Sequence, residues 1–88
     1  MDGRARIAWN LRKIRTDSGV TQEALAVDAD VDRTYVSGIE QGTFNPSIDV
    51  LDRIAAALGV DVARLLQPLP EGAASLPALK AGRKGKGD

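Results

Sequence analysis

The stretch QEALAVDADVDRTYVSGIEQG, Gln22 to Gly42, decides how the rest of the chain is read. It divides into two short amphipathic helices joined by a tight turn. Leu25, Ala26 and Ala29 are the apolar positions of the first, Val36 and Ile39 those of the second, and Val31 lies between them. Two helices crossing steeply within about 20 residues need a small side chain where their axes come closest, and Ala26 supplies one. Asp32 is placed to cap the second helix by accepting from the backbone N–H of Thr34 or Tyr35. Gly42 is placed to end it in the left-handed conformation.

Two helices in this arrangement form a helix-turn-helix, whose second helix would enter the major groove of DNA. The segments Gln22-x-x-Leu25-Ala26, Val31, Arg33-Thr34-Tyr35-Val36-Ser37 and Ile39-Glu40-x-Gly42 resemble the Cro/repressor-type helix-turn-helix family, also called the Xre family. Asn45-Pro46-Ser47 and Ala57-Leu58-Gly59-Val60 continue the match, which covers roughly residues 7–67. Arg33-Thr34-Tyr35 at the start of the second helix is similar to the small bacterial controller proteins of restriction–modification systems. The resemblance implies an all-α, five-helix, lambda-repressor-like DNA-binding domain.

Size and composition bound the alternatives. Eighty-eight residues make at most one small domain, with a core that is marginal without a partner. The chain has no cysteine and no histidine. Disulfides and a Ser-His-Asp triad are thereby excluded, and the usual structural zinc ligands are missing. The carboxylates, serines, threonines and tyrosine form no recognisable catalytic set at their spacings, so no enzyme, cofactor or small-molecule ligand is expected. No apolar run approaches the roughly 18 residues needed to span a bilayer, and no signal-peptide core is present. A soluble, cytoplasmic protein without a membrane partner is expected.

Charge cuts against DNA at first sight. The whole chain is balanced, with 12 basic and 12 acidic residues. Between Leu11 and Leu66 six basic residues face nine acidic ones, a balance of −3. DNA binding must then come from local placement of donors and cations, not from a generally positive surface.

Outward from the central stretch, residues 1 to 18 read as a first helix with Ile7, Leu11 and Ile14 along one stripe. Trp9 falls off that stripe, at the rim or in a dimer contact. Arg4, Arg6, Arg12 and Lys13 read as a solvated face from which phosphate contacts could come. Gly19 is a C′ residue, with Val20 closing back on the helix end. Thr21 is the expected N-cap of the second helix. The fourth helix spans about Ile48 to Leu58, with Leu51, Ile54, Ala55 and Leu58 toward the core, and Gly59 ends it. Asp61 caps a short fifth helix carrying Val62, Leu65 and Leu66. These three exceed what a short terminal helix needs for its own packing, so they are expected to form a homodimer interface, with Leu69 a further candidate. Residues 1–67 are thus the domain, with 22–41 as its motif. Residues 68–88, rich in Gly, Pro, Ala and Lys and carrying a balance of +2, read as a flexible basic tail.

The site residues follow from chemistry and from the resemblance together. Arg33 is the only cation of the third helix and can bond guanine O6 and N7 with two parallel donors. Thr34 offers a hydroxyl and a methyl to a base edge, and Ser37, one turn on, reaches a base or a phosphate. Tyr35 either packs on the rim or gives its hydroxyl to a phosphate. Gln22, in the first turn of the second helix, and Asn45 and Ser47, at the start of the fourth, are candidates for the phosphate backbone. Ser47 also serves as an N-cap. Gly38 stands where relatives often carry a long reading side chain, which shortens the readout and implies closer backbone approach or weaker specificity. Where the family usually has glycine in the turn, this chain has Asp30, a residue that tolerates left-handed backbone. Thr43 and Phe44 replace loop cations that relatives often carry, and Phe44 is expected to pack against the loop or the adjoining helices. The resemblance also implies a partly buried ion pair between Arg15 and Glu40 that orients the reader.

The expected function is sequence-specific binding of double-stranded DNA as a transcriptional regulator, in the form of a homodimer on a two-fold related operator. Two alternatives keep the fold: a protein-interaction module with weak DNA affinity, and an antitoxin paired with a toxin.

Overall fold

The computed structural model describes residues 3–70. The basic-tail assignment therefore falls, beyond Pro70, outside the described residues. Four α-helices follow in order: α1 Gly3–Asp17, α2 Gln22–Ala29, α3 Arg33–Glu40 and α4 Ile48–Leu58. A 3-10 segment, Val62–Leu66, completes the fold, and no strand occurs among the described residues.

Each boundary has a local cause. Gly19, at φ 72°, turns the chain out of α1, and Val20 N–H bonds back to the Arg15 carbonyl at 3.1 Å. The Thr21 hydroxyl accepts from Ala24 N–H at 3.0 Å and starts α2. Asp30 adopts the left-handed conformation at φ 59°, the one residue other than glycine to do so among those described. Its own N–H and that of Val31 close on the carbonyls of Val27 and Ala26. Arg53 Nε, reaching across from α4, donates to the Ala29 carbonyl at 3.0 Å and satisfies an acceptor that the helix end leaves open. Ser47 starts α4 by accepting from Val50 N–H at 3.1 Å, and Gly59 at φ 72° ends it.

α2 packs against α3 and α4, while α1 packs against α3 and the 3-10 segment, which also meets α4. The enclosed core contains Leu11, Leu25, Val36, Ile39, Leu51, Ile54 and Leu65, with Ala26 and Ala29 allowing the close crossing of α2. Trp9 is half-buried at the rim.

The last element differs from the fifth α-helix expected. Its five residues hold an i to i+3 bond, Arg64 N–H to the Asp61 carbonyl at 2.9 Å, while Asp61 Oδ1 caps Ala63 N–H at 2.8 Å. Gln67 precedes Pro68 and is driven to extended backbone at ψ 145°, so the coil stops before an α-helical turn can propagate. A second correction concerns Leu65. Expected at a dimer interface, it is fully buried inside its own chain, whereas Leu66 is 38% exposed and Val62 half-buried. Consecutive residues on a tight coil point to different sides, so one leucine fills the core while the next faces out. Among the described residues, no helix is long and apolar enough to cross a membrane.

Candidate nucleic-acid interface

α3 presents its outer side through Arg33 and Thr34, both exposed, and Ser37, half-buried. Its inner side is closed by Val36, Ile39 and Glu40. The spacing 33, 34, 37 at 3.6 residues per turn gathers these three side chains onto one face. Gln41, a residue not singled out from the sequence, extends that face: its Nε2 donates to Ser37 Oγ at 2.9 Å.

The start of α3 differs from expectation. Asp32 occupies the N-cap position, yet its side chain caps no backbone N–H. Instead Asp32 Oδ2 accepts the Thr34 hydroxyl at 3.0 Å. A hydroxyl two residues on competes for the carboxylate that would otherwise cap. Thr34 therefore comes to the surface with its hydroxyl proton committed and its methyl and oxygen lone pair available. The acidic charge of Asp32 is held beside Thr34, not turned away from it.

Beneath α3 sits a buried carboxylate with three partner side chains. Glu40 has no exposed surface. Arg15 Nε donates to its Oε2 at 2.5 Å and Arg15 Nη2 to its Oε1 at 3.0 Å, the two-pronged geometry in which guanidinium matches carboxylate best. Arg15 Nη1 also donates to the Val20 carbonyl at 2.8 Å, which anchors the α1–α2 turn. Gln22 Nε2 donates to Glu40 Oε1 at 3.0 Å, and Arg12 Nη1 stands 3.6 Å from the same oxygen. The carboxylate thus joins α1, α2 and α3 and fixes α3 against the scaffold.

Two of the anticipated backbone contacts look different in this setting. Gln22 is half-buried and spends an amide hydrogen on Glu40, leaving its carbonyl oxygen and second N–H for any outside partner. Arg12, read from the sequence as one of several solvated cations, has a side chain only 29% exposed and a buried Nε without a partner among the described residues. Asn45 and Ser47 are both exposed, with the Ser47 hydroxyl already capping α4.

Gly38 requires a correction. The close approach that glycine permits is made by the protein itself: Gly38 is buried beneath the Phe44 ring. The sequence signal was a glycine inside a helix, a costly choice that asks for a packing reason, with an aromatic residue one loop later.

A family profile described as Helix-turn-helix matches residues 11–65 of this chain, from α1 through the 3-10 segment. The chain belongs to the helix-turn-helix family. Among relatives of this helix-turn-helix protein, a Neisseria meningitidis protein named as a hypothetical transcription factor is 43% identical over 70 residues. That alignment covers 80% of this chain and 66% of the Neisseria protein, so the chain spans about two thirds of that relative's length. Its crystal structure superposes with a TM-score of 0.73, covering 76% of this chain and 77% of that one. The control protein C.BamHI from Bacillus amyloliquefaciens is 47% identical over 57 residues, 64% of this chain and 70% of that protein. A structure of C.Esp1396I bound to a 25 base pair operator site is similar with a TM-score of 0.67 at 35% identity, over 74% of this chain and 86% of that one.

Proposed function

We propose that this helix-turn-helix protein binds double-stranded DNA sequence-specifically and regulates transcription, with Arg33, Thr34 and Ser37 reading bases from the exposed face of α3. Tyr35 borders that face, and Gln22, Asn45 and Ser47 set its register on the phosphates. The observation that carries this reading is the rigid presentation of α3: its inner side is locked through Glu40 to two other helices, and its outer side is left open. Similarity to C.Esp1396I, whose structure is titled as bound to operator DNA, supports the same reading. Catalysis has no part in it, and DNA as the partner puts its place of work in the cytoplasm.

Selection of bound duplexes from a random-sequence pool tests the proposal. The expected result is one enriched motif with two-fold related half-sites about one helical turn apart. Titrations of the enriched duplex should show log K falling with log salt by roughly 0.9 for each phosphate neutralised. The balance of −3 across Leu11–Leu66 favours the rival reading of a protein-interaction module. An unenriched pool together with salt-independent binding would decide for that rival.

A two-fold operator calls for a homodimer. Leu66 and Val62 are the candidate contacts, since Leu65 is spent inside the fold. Sedimentation equilibrium at micromolar concentration should give a dimer, and Leu66→Asp should shift it to a monomer with the helical content intact. A wild-type monomer under those conditions would remove the dimer from the proposal.

A further inference from the structure

We infer that Phe44 is a positioning residue for DNA reading: its ring, seated on Gly38, fixes the Tyr35 ring at the border of the exposed face of α3. The inference deepens the proposed DNA-binding function and rests on it.

The seat is built at one point of the helix. Gly42, at φ 77°, turns the chain back after α3. The Gly38 carbonyl then accepts three hydrogen bonds from the returning loop: Thr43 N–H at 3.1 Å, Phe44 N–H at 3.3 Å and the Thr43 hydroxyl at 3.2 Å. This lays the Phe44 ring over Gly38 so closely that a Cβ there would stand 2.6 Å from ring atoms Cγ and Cδ1. Real Cβ atoms do not approach that near, so position 38 has room for no side chain while the ring is in place.

The arrangement is not an ordinary way to gain stability. A glycine inside a helix weakens it relative to alanine, and the phenylalanine it admits remains 40% exposed. What the ring does meet is Tyr35, edge to face, with centroids 5.3 Å apart and planes at 90°. That geometry matches the positive edge of one ring to the negative face of the other and restricts rotation of both. The Tyr35 hydroxyl has no hydrogen-bond partner among the described residues. Tyr35 is thus held by its ring and free at its tip, next to the side chains that face outward at Thr34 and Arg33. Positioned in this way, the hydroxyl donates to an acceptor on a base edge, not to a phosphate, without first losing rotational freedom.

The test measures, for the full chain, the ratio of affinities for a duplex selected from the random pool and a scrambled duplex of equal length and composition. Phe44→Ala should lower this ratio about tenfold, the size of one lost directional contact, while leaving affinity for the scrambled duplex and its salt slope unchanged. Phe44→Tyr, which keeps the ring, should restore the ratio. Tyr35→Ala should show the same loss, and adding Phe44→Ala to it should lower the ratio no further. Gly38→Ala, which evicts the ring from the other side, should reproduce the loss and keeps the idea testable if Phe44→Ala unfolds.

Four results would overturn the inference. They are an unchanged ratio in folded Phe44→Ala, an equal fall for both duplexes, a loss that persists in the Tyr35→Ala background, and a wild-type protein that prefers no duplex. The last alone also overturns the sequence-specific reading proposed above.

Discussion

Glu40→Ala is expected to remove about 3–5 kcal/mol of folding free energy, the range found when one partner of a buried ion pair is deleted. The loss arises less from the attraction forgone than from what stays behind. Arg15, 8% exposed, would keep its charge and retain only the Val20 carbonyl as an acceptor. Gln22 and Arg12 would lose the same oxygen. Small domains are stable by only about 5–15 kcal/mol in total, so the variant should lose a large share of its stability. Glu40→Gln, which keeps the shape and one acceptor oxygen, should fall between the variant and the wild type. Urea unfolding followed by far-ultraviolet circular dichroism measures both. A midpoint for Glu40→Ala within error of the wild type would mean that the buried pair does not hold α3 in place.

Arg33→Ala should act in the opposite way, on recognition and not on the fold. Arg33 is exposed and its side chain makes no hydrogen bond or ion pair among the described residues, so its truncation should change stability by less than about 0.5 kcal/mol. It is also the only cation on α3. A bidentate contact to guanine contributes roughly 1–3 kcal/mol of discrimination, a factor of about 5 to 150 between the right base and the wrong one. Repeating the random-pool selection with Arg33→Ala should relax preference at one guanine of each half-site and leave the others. A uniform drop in affinity for all duplexes would assign Arg33 to the phosphate backbone instead.

Much of this architecture could be read from the sequence, and the residues show why. The apolar spacing of Leu25, Ala26, Ala29, Val36 and Ile39 places α2 and α3 because helical periodicity is local and each short helix buries one face. Thr21, Ser47 and Asp61 mark helix starts because a cap needs only a hydroxyl or carboxylate two or three residues from its N–H. Asp32 looked equally able to cap. Only coordinates reveal that the Thr34 hydroxyl takes its carboxylate first. Leu65 and Leu66 look alike in a sequence, and the tight 3-10 coil decides which one enters the core. The seat of Phe44 on Gly38 is hinted at by a glycine inside a helix with an aromatic one loop later, but the backbone hydrogen bonds that form it follow from no side-chain pattern. Among the site residues, Arg33 and Thr34 could be named from their chemistry. The demand of Glu40 on Gln22 could not, because it depends on where three helices converge.

The buried amide of Asn10 sets a limit at the other side of the molecule. Its Nδ2 donates to the carbonyl of Leu65 at 3.2 Å and to that of Gln67 at 2.9 Å, and Arg6 Nη1 reaches the Leu66 carbonyl at 3.3 Å. The first helix thus clasps the backbone of the last three positions before Pro68. Removing those positions would strand a buried donor and open a leucine-sized void in the core beside α1. An enzyme that clips the chain within this clasp would therefore disarm the protein by unfolding it, without touching the exposed face of α3.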